Sequence, residues 1–174
     1  MENKKHSYWR FAAMIGTSMV LMFGLMYLNS YEISHVRWSE PRFYMTLIMG
    51  AGMAVVMLSY MTGMYDNRKV NLAIVAGSLI VFAAALWLVR SQVTVQDSSY
   101  MSAMIPHHSI AIVTSERAEI RDVRVRELAD EIIRAQRREI KEMTWLIEDI
   151  KQNGAATSES EAAARPVPDF EGAL

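Results

Sequence analysis

The chain has 174 residues, a formal net charge of −1 and 52% hydrophobic residues, with the apolar residues concentrated before Arg90 and the charged ones after it. It contains no cysteine, which excludes disulfides, thiolate metal sites and thiol chemistry. No basic excess supplies an electrostatic footprint for nucleic acid, so no nucleic-acid partner is expected.

Three apolar segments come first, at residues 11–28, 43–64 and 72–89, and none contains Asp, Glu, Lys or Arg. A helix rises about 1.5 Å per residue, so each is long enough to cross a hydrocarbon core of roughly 30 Å. The first is too long for the core of a cleaved signal peptide, and no small-x-small cleavage site follows Leu28, so it is expected to stay as a span. Residues 1–90 are therefore expected to form a three-span anchor in the inner (plasma) membrane, with the lipid bilayer as its partner. Lys4, Lys5 and Arg10 precede the first span, and Arg68 and Lys69 lie in the short second connection. In the first connection, Arg37 and Arg42 are offset by Glu32 and Glu40. This bias predicts a cytoplasmic N-terminus and places everything after Arg90 on the periplasmic or extracellular side. Tyr8, Trp9, Tyr27, Tyr44, Tyr65 and Trp87 fall near the span ends, as interfacial belts require. Gly16, Gly24, Gly50, Gly52 and Gly77 are expected to let the three helices approach closely.

Methionine is abundant, at 14 residues against five phenylalanines. Met45, Met49, Met53, Met57 and Met61 recur every four residues through the second span. Such a row winds around the helix, and flexible packing against lipid and glycine-rich neighbours accounts for it. The spans hold no charged midplane site, so transport is not expected.

The extramembrane part, residues 91–152, reads as two helices. The first runs from Asp97 to about Ala118, and the second starts at Asp122 as N-cap and continues to about Ile150. The tail, residues 153–174, is rich in Ala, Ser, Glu and Pro, lacks apolar periodicity and is expected to be disordered. At 100° per residue, Val125, Ile132, Gln136, Glu139, Met143, Ile147 and Ile150 share one stripe of the second helix. Arg134, Arg137, Arg138 and Lys141 fall on its solvent face. A carboxylate inside an apolar stripe needs a partner, and either an arginine or a metal ion would serve. On the first helix, Asp97, Met101, Met104, His108 and Ile112 share a face, with His107 at its edge. Pro106 either kinks this helix or opens a new one. A hairpin of this size cannot bury its stripes alone, and a homo-oligomer in which two hairpins form a four-helix bundle is the economical solution.

Met104-Ile105-Pro106-His107-His108 sets imidazole beside thioether, a combination that suits copper, above all Cu(I). Zinc, or a His pair that merely packs or caps, are the other readings of the same residues. The pattern Asp97-x-x-Tyr100-Met101-x-x-Met104-Ile105-Pro106-His107-His108, followed by Gln136-x-x-Glu139-Ile140-x-x-Met143, resembles the family known as domain of unknown function 305. That resemblance implies a ferritin-like helical fold and a periplasmic copper-binding role of the kind associated with metal tolerance. It implies Met104, His107, His108 and Met143 as ligands, with Met101, Gln136 and Glu139 adjacent. Thr114 and Val113 stand where members often carry methionine or histidine.

An enzyme is not expected. The Glu-x-x-His pairs of di-iron carboxylate bundles are missing, as are a Ser/His/Asp set and a glycine-rich phosphate loop. The sequence thus predicts an all-α protein, three transmembrane helices followed by an extracytoplasmic hairpin, that binds metal or assembles through the hairpin without it.

Overall fold

The computed structural model describes residues 2–173, with side chains from Tyr8 to Ala173. Its elements are helices α1 (Glu2–Leu25), α2 (Glu40–Tyr60), α3 (Arg68–Ser91), α4 (Asp97–Arg117), α5 (Val123–Asn153) and α6 (Glu159–Ala164), with one 3₁₀ turn at Ile33–His35. Among the described residues there is no strand, and the protein is all-α as its sequence predicts. The chain divides into two units. One comprises residues 1–26 and 40–94, the other residues 27–39 and 95–174.

The first unit holds α1, α2 and α3, each long and apolar enough to cross a membrane. The observed spans begin or end a few residues away from the apolar runs because capping, rather than hydropathy, stops a helix. Asn67 Oδ1 accepts from the Lys69 and Val70 amides and starts α3, so Met61 to Asp66 become a turn instead of the last turn of α2. α2 packs against both α1 and α3. Phe11, Ala54, Leu58 and Tyr65 form a buried cluster with Met57 and Met61 packed on it, so the lower part of the methionine row fills space within the unit. Tyr8 donates to Asn71 Oδ1 at 2.7 Å, and Asn71 Nδ2 donates to the Tyr65 carbonyl at 2.6 Å, tying the starts of α1 and α3 together. Of the five glycines expected at helix contacts, only Gly50 sits at one, where a Cβ would meet the Met19 side chain. A Cβ at Gly16, Gly24, Gly52 or Gly77 would have open space around it.

The second unit is the hairpin of α4 and α5 together with the 27–39 segment. Ser99 Oγ accepts the Gln96 amide at 2.9 Å and opens α4, which then runs through Pro106 without a break. Pro106 is buried, so the helix tolerates the missing donor inside a packed interface. Asp122 caps α5 by accepting the Arg124 amide at 2.9 Å, and Arg126 reaches back to the Ser115 carbonyl at 3.0 Å to brace the turn. Ile105, Ile112 and Ile140 form the core, with Tyr31, Met143 and Ile147 packed against it.

Two expectations need correcting. The tail carries helix α6, capped by Ser158, and Arg165 forms an ion pair with Asp149 at 2.7 Å. Farther along, Lys141 donates to the Glu171 carbonyl and Arg137 to the Ala173 carbonyl. Composition alone misjudges this stretch because its anchors are polar side chains of α5 gripping tail carbonyls, which apolar periodicity does not register. The buried face of α5 is also rotated from the expected stripe. It centres on Ala129, Ile133 and Ile140, leaving Val125 and Leu128 exposed. Burial goes to the side of α5 that α4 covers, which periodicity within one helix does not register.

Because Ile112 is 1% exposed in the hairpin core, Ile112→Ala is expected to destabilise the protein by about 2–5 kcal/mol. Val123→Ala, at a position 80% exposed, should change stability by less than about 0.5 kcal/mol. Denaturant titration of the two variants in micelles checks both values, and equal losses would contradict this placement of the core.

Candidate functional site

Seven residues of the hairpin are candidates for a metal centre, and the structure separates them into three groups. His108 and Glu139 meet across the α4–α5 interface, with Nε2 and Oε2 2.8 Å apart. The His108 side chain is 12% exposed and that of Glu139 is 37% exposed, so the pair lies at the edge of the interface. The Glu139 carboxylate therefore finds an imidazole as its partner instead of an arginine. Met101 is buried in the core, while Met104, Gln136 and Met143 are half-buried, Met143 lying against the isoleucine cluster.

His107 forms the third group. Its side chain is exposed, with its ring centroid 6.0 Å from that of His108 and the planes at 66°. Adjacent helical residues are 100° apart. Once Ile105, Ser109 and Ile112 point into the core, His108 falls at the interface edge and His107 turns outward. The expected edge position of His107 is thus corrected. Among the described residues, no three His, Cys, Asp or Glu side chains converge as a metal site.

The chemistry of the pair turns on its hydrogens. His108 Nδ1 lies 2.9 Å from the Met104 carbonyl oxygen, which can only accept, so Nδ1 carries a proton. A neutral His108 would then aim the Nε2 lone pair at the Glu139 carboxylate. At 2.8 Å the contact is a hydrogen bond when Nε2 also carries a proton, and the two atoms are close enough to serve as neighbouring ligands of one metal ion. A backbone carbonyl on the distal nitrogen is also the usual way a metal-binding imidazole is oriented.

The family model described as "Domain of unknown function (DUF305)" matches residues 93–171. An uncharacterized protein of Acanthamoeba polyphaga mimivirus is 33% identical over 128 residues, covering 72% of this chain and 82% of the viral protein. The chain belongs to the DUF305 family. The 128 aligned residues exceed the DUF305 segment, so the likeness to the viral protein extends into the apolar helices. The DUF305 match also continues past α5 through the tail that packs on it. No solved structure matches the chain.

The structure adds to the DUF305 hairpin a set of residues that no local sequence pattern marks. Ser109 is fully buried on α4, and its Oγ accepts the Tyr31 amide at 2.6 Å. His35 Nδ1 lies 3.0 Å from the same oxygen, and His35 Nε2 is 3.8 Å from Glu32 Oε2. The hydroxyl that receives the Tyr31 amide can give its own proton to His35. Arg137, expected on the solvent face, instead pairs with Glu116, donates to the Tyr31 hydroxyl at 3.2 Å and sits over the Tyr31 ring. These contacts dock the 27–39 segment on the hairpin. The only hints in the sequence were a tyrosine, a histidine and a tryptophan in a connection otherwise read for charge.

Burial pushes the His35 pKa below its ordinary value of 6.5, with Arg37 adding to the shift and Glu32 opposing it. Over the range between the two pKa values the unfolded chain binds more protons, so stability rises with pH. The contribution of His35 is complete above the ordinary value and is lost as pH falls through the lowered one. Thermal melts from pH 7.5 downward should therefore show a decline beginning below about pH 6.5 that His35→Gln flattens. Ser109→Ala, which strands the Tyr31 amide, is expected to cost about 1–3 kcal/mol at neutral pH. A Ser109→Ala variant as stable as the parent would show that the segment is held by other contacts.

Proposed function

We propose that this DUF305 protein is a membrane-anchored metal-binding protein whose hairpin takes up copper on the outer face of the membrane, in a sequestering or tolerance role. The observation that carries the reading is the His108–Glu139 pair, in which an imidazole nitrogen and a carboxylate oxygen converge to 2.8 Å, close enough to be neighbouring ligands of one ion. The half-buried thioethers of Met104 and Met143 and the amide of Gln136 are the further donors on offer, while His107 is exposed. An imidazole–carboxylate pair is harder than the His–Met set that the family resemblance implies. It suits divalent copper, with zinc as the competitor, better than Cu(I). The flanking charges support a cytoplasmic N-terminus. With three crossings, the 27–39 segment and the hairpin fall on the same side, in keeping with their membership of one unit.

A second reading has its own support. Val125 and Leu128 on α5 are about half exposed, and His108 and Glu139 can share a proton instead of a metal. On this reading the hairpin is an interaction module that assembles with a second copy.

Titrating the full-length protein in nanodiscs with Cu(II), Zn(II) and Cu(I) under competing chelators tests the proposal. His108→Ala and Glu139→Gln are expected to weaken binding roughly tenfold or more, while His107→Ala leaves it unchanged. A metal held only by the native state at a hundredfold excess over its Kd should also raise stability by about 2.7 kcal/mol. Equal affinity of the parent and His108→Ala would overturn the metal reading. A metal-independent oligomer, unmoved by chelators and weakened by Leu128→Glu, would favour the second.

A further inference from the structure

A cavity of about 420 Å³ lies within the second unit, between the 27–39 segment and the α4–α5 hairpin. Its floor is apolar, made by the buried residues Ile112 and Ile140. Three cationic side chains, Arg37, Arg137 and Lys141, line it against a single carboxylate, that of Glu32. His35 is also in the wall, and burial favours its neutral form, so it adds no charge at neutral pH.

The three cations are not equally satisfied. Arg137 has Glu116 as its counter-ion. Lys141 donates to a tail carbonyl, a neutral acceptor, and has no ion-pair partner among the described residues. Arg37 Nε is buried and has no hydrogen-bond partner among the described residues. A buried guanidinium donor without an acceptor is costly, and such groups in folded proteins normally meet one.

We infer that this cavity is a binding site for a small organic carboxylate with an apolar body. The carboxylate supplies a counter-charge to Arg37 and Lys141, neither of which has an ion-pair partner among the described residues, and a guanidinium matches a carboxylate in geometry as well as in charge. The body rests on Ile112 and Ile140, which distinguishes such a ligand from an inorganic anion. Convergent polar groups around an apolar floor are the general form of a small-molecule site. The cavity uses neither His108 nor Glu139, so the inference is independent of metal binding.

Calorimetric titration of the full-length protein in nanodiscs with benzoate, its neutral isostere benzamide, and inorganic phosphate tests the assignment. Benzoate should bind saturably, with benzamide and phosphate roughly tenfold weaker or more. Arg37→Gln and Lys141→Met should each weaken benzoate by a similar factor, and Thr144→Trp, at an exposed wall position, should block it. His108→Ala should leave benzoate binding unchanged. Lys141 and Thr144 are exposed, so those two variants keep the test valid even if Arg37→Gln disturbs folding. Absence of saturable benzoate binding, equal binding of benzamide, or undiminished binding in Lys141→Met would each overturn the inference. Phosphate binding as well as benzoate would remove the role of the apolar floor.

Discussion

The seam of Ile105, Ile112 and Ile140 sets the rotation of both hairpin helices about their own axes, and the chemistry of the second unit follows from that rotation. With those three side chains inward, α4 can present only one of its two adjacent histidines to α5. His108 is the one presented, and Glu139, just off the buried face of α5, is within reach of it. The same rotation carries Ser109 to the opposite flank of the seam, where it receives Tyr31 and His35. A pairing of polar groups at an edge is thus positioned by apolar groups at the centre, which bury surface without directional preference.

The two flanks of the hairpin have different electrostatic characters. On one, His108 and Glu139 form a small, partly exposed pair with Nε2 and Oε2 2.8 Å apart. On the other, Arg37, Arg137 and Lys141 surround a cavity with an excess of positive charge and an unmet donor. The tail braces the second flank, offering carbonyl oxygens to Arg137 and Lys141.

The segment 27–39 connects the two units in sequence and belongs structurally to the second. It lies between two apolar helices yet packs with the DUF305 hairpin, so the hairpin's core is completed by residues outside the stretch that the family model covers. The likeness to the mimivirus protein reaches into the apolar helices as well as the hairpin.

Much of this architecture was legible in the amino-acid order. Uninterrupted apolar runs marked three helices able to span a bilayer, Asp97 and Asp122 marked the starts of the hairpin helices, and the His–Glu–Met pattern identified the family. These features are local, set by caps, periodicity and composition within a few turns of chain. Which residues face one another was decided only by tertiary packing. His107 and His108 are indistinguishable by type, and only the seam turns one inward. Tyr31 and His35 reach Ser109 across 78 and 74 residues, and no local pattern encodes a contact at that separation. The tail looked featureless because its hold on α5 comes from lysine and arginine donating to backbone carbonyls, groups that every sequence possesses and none displays.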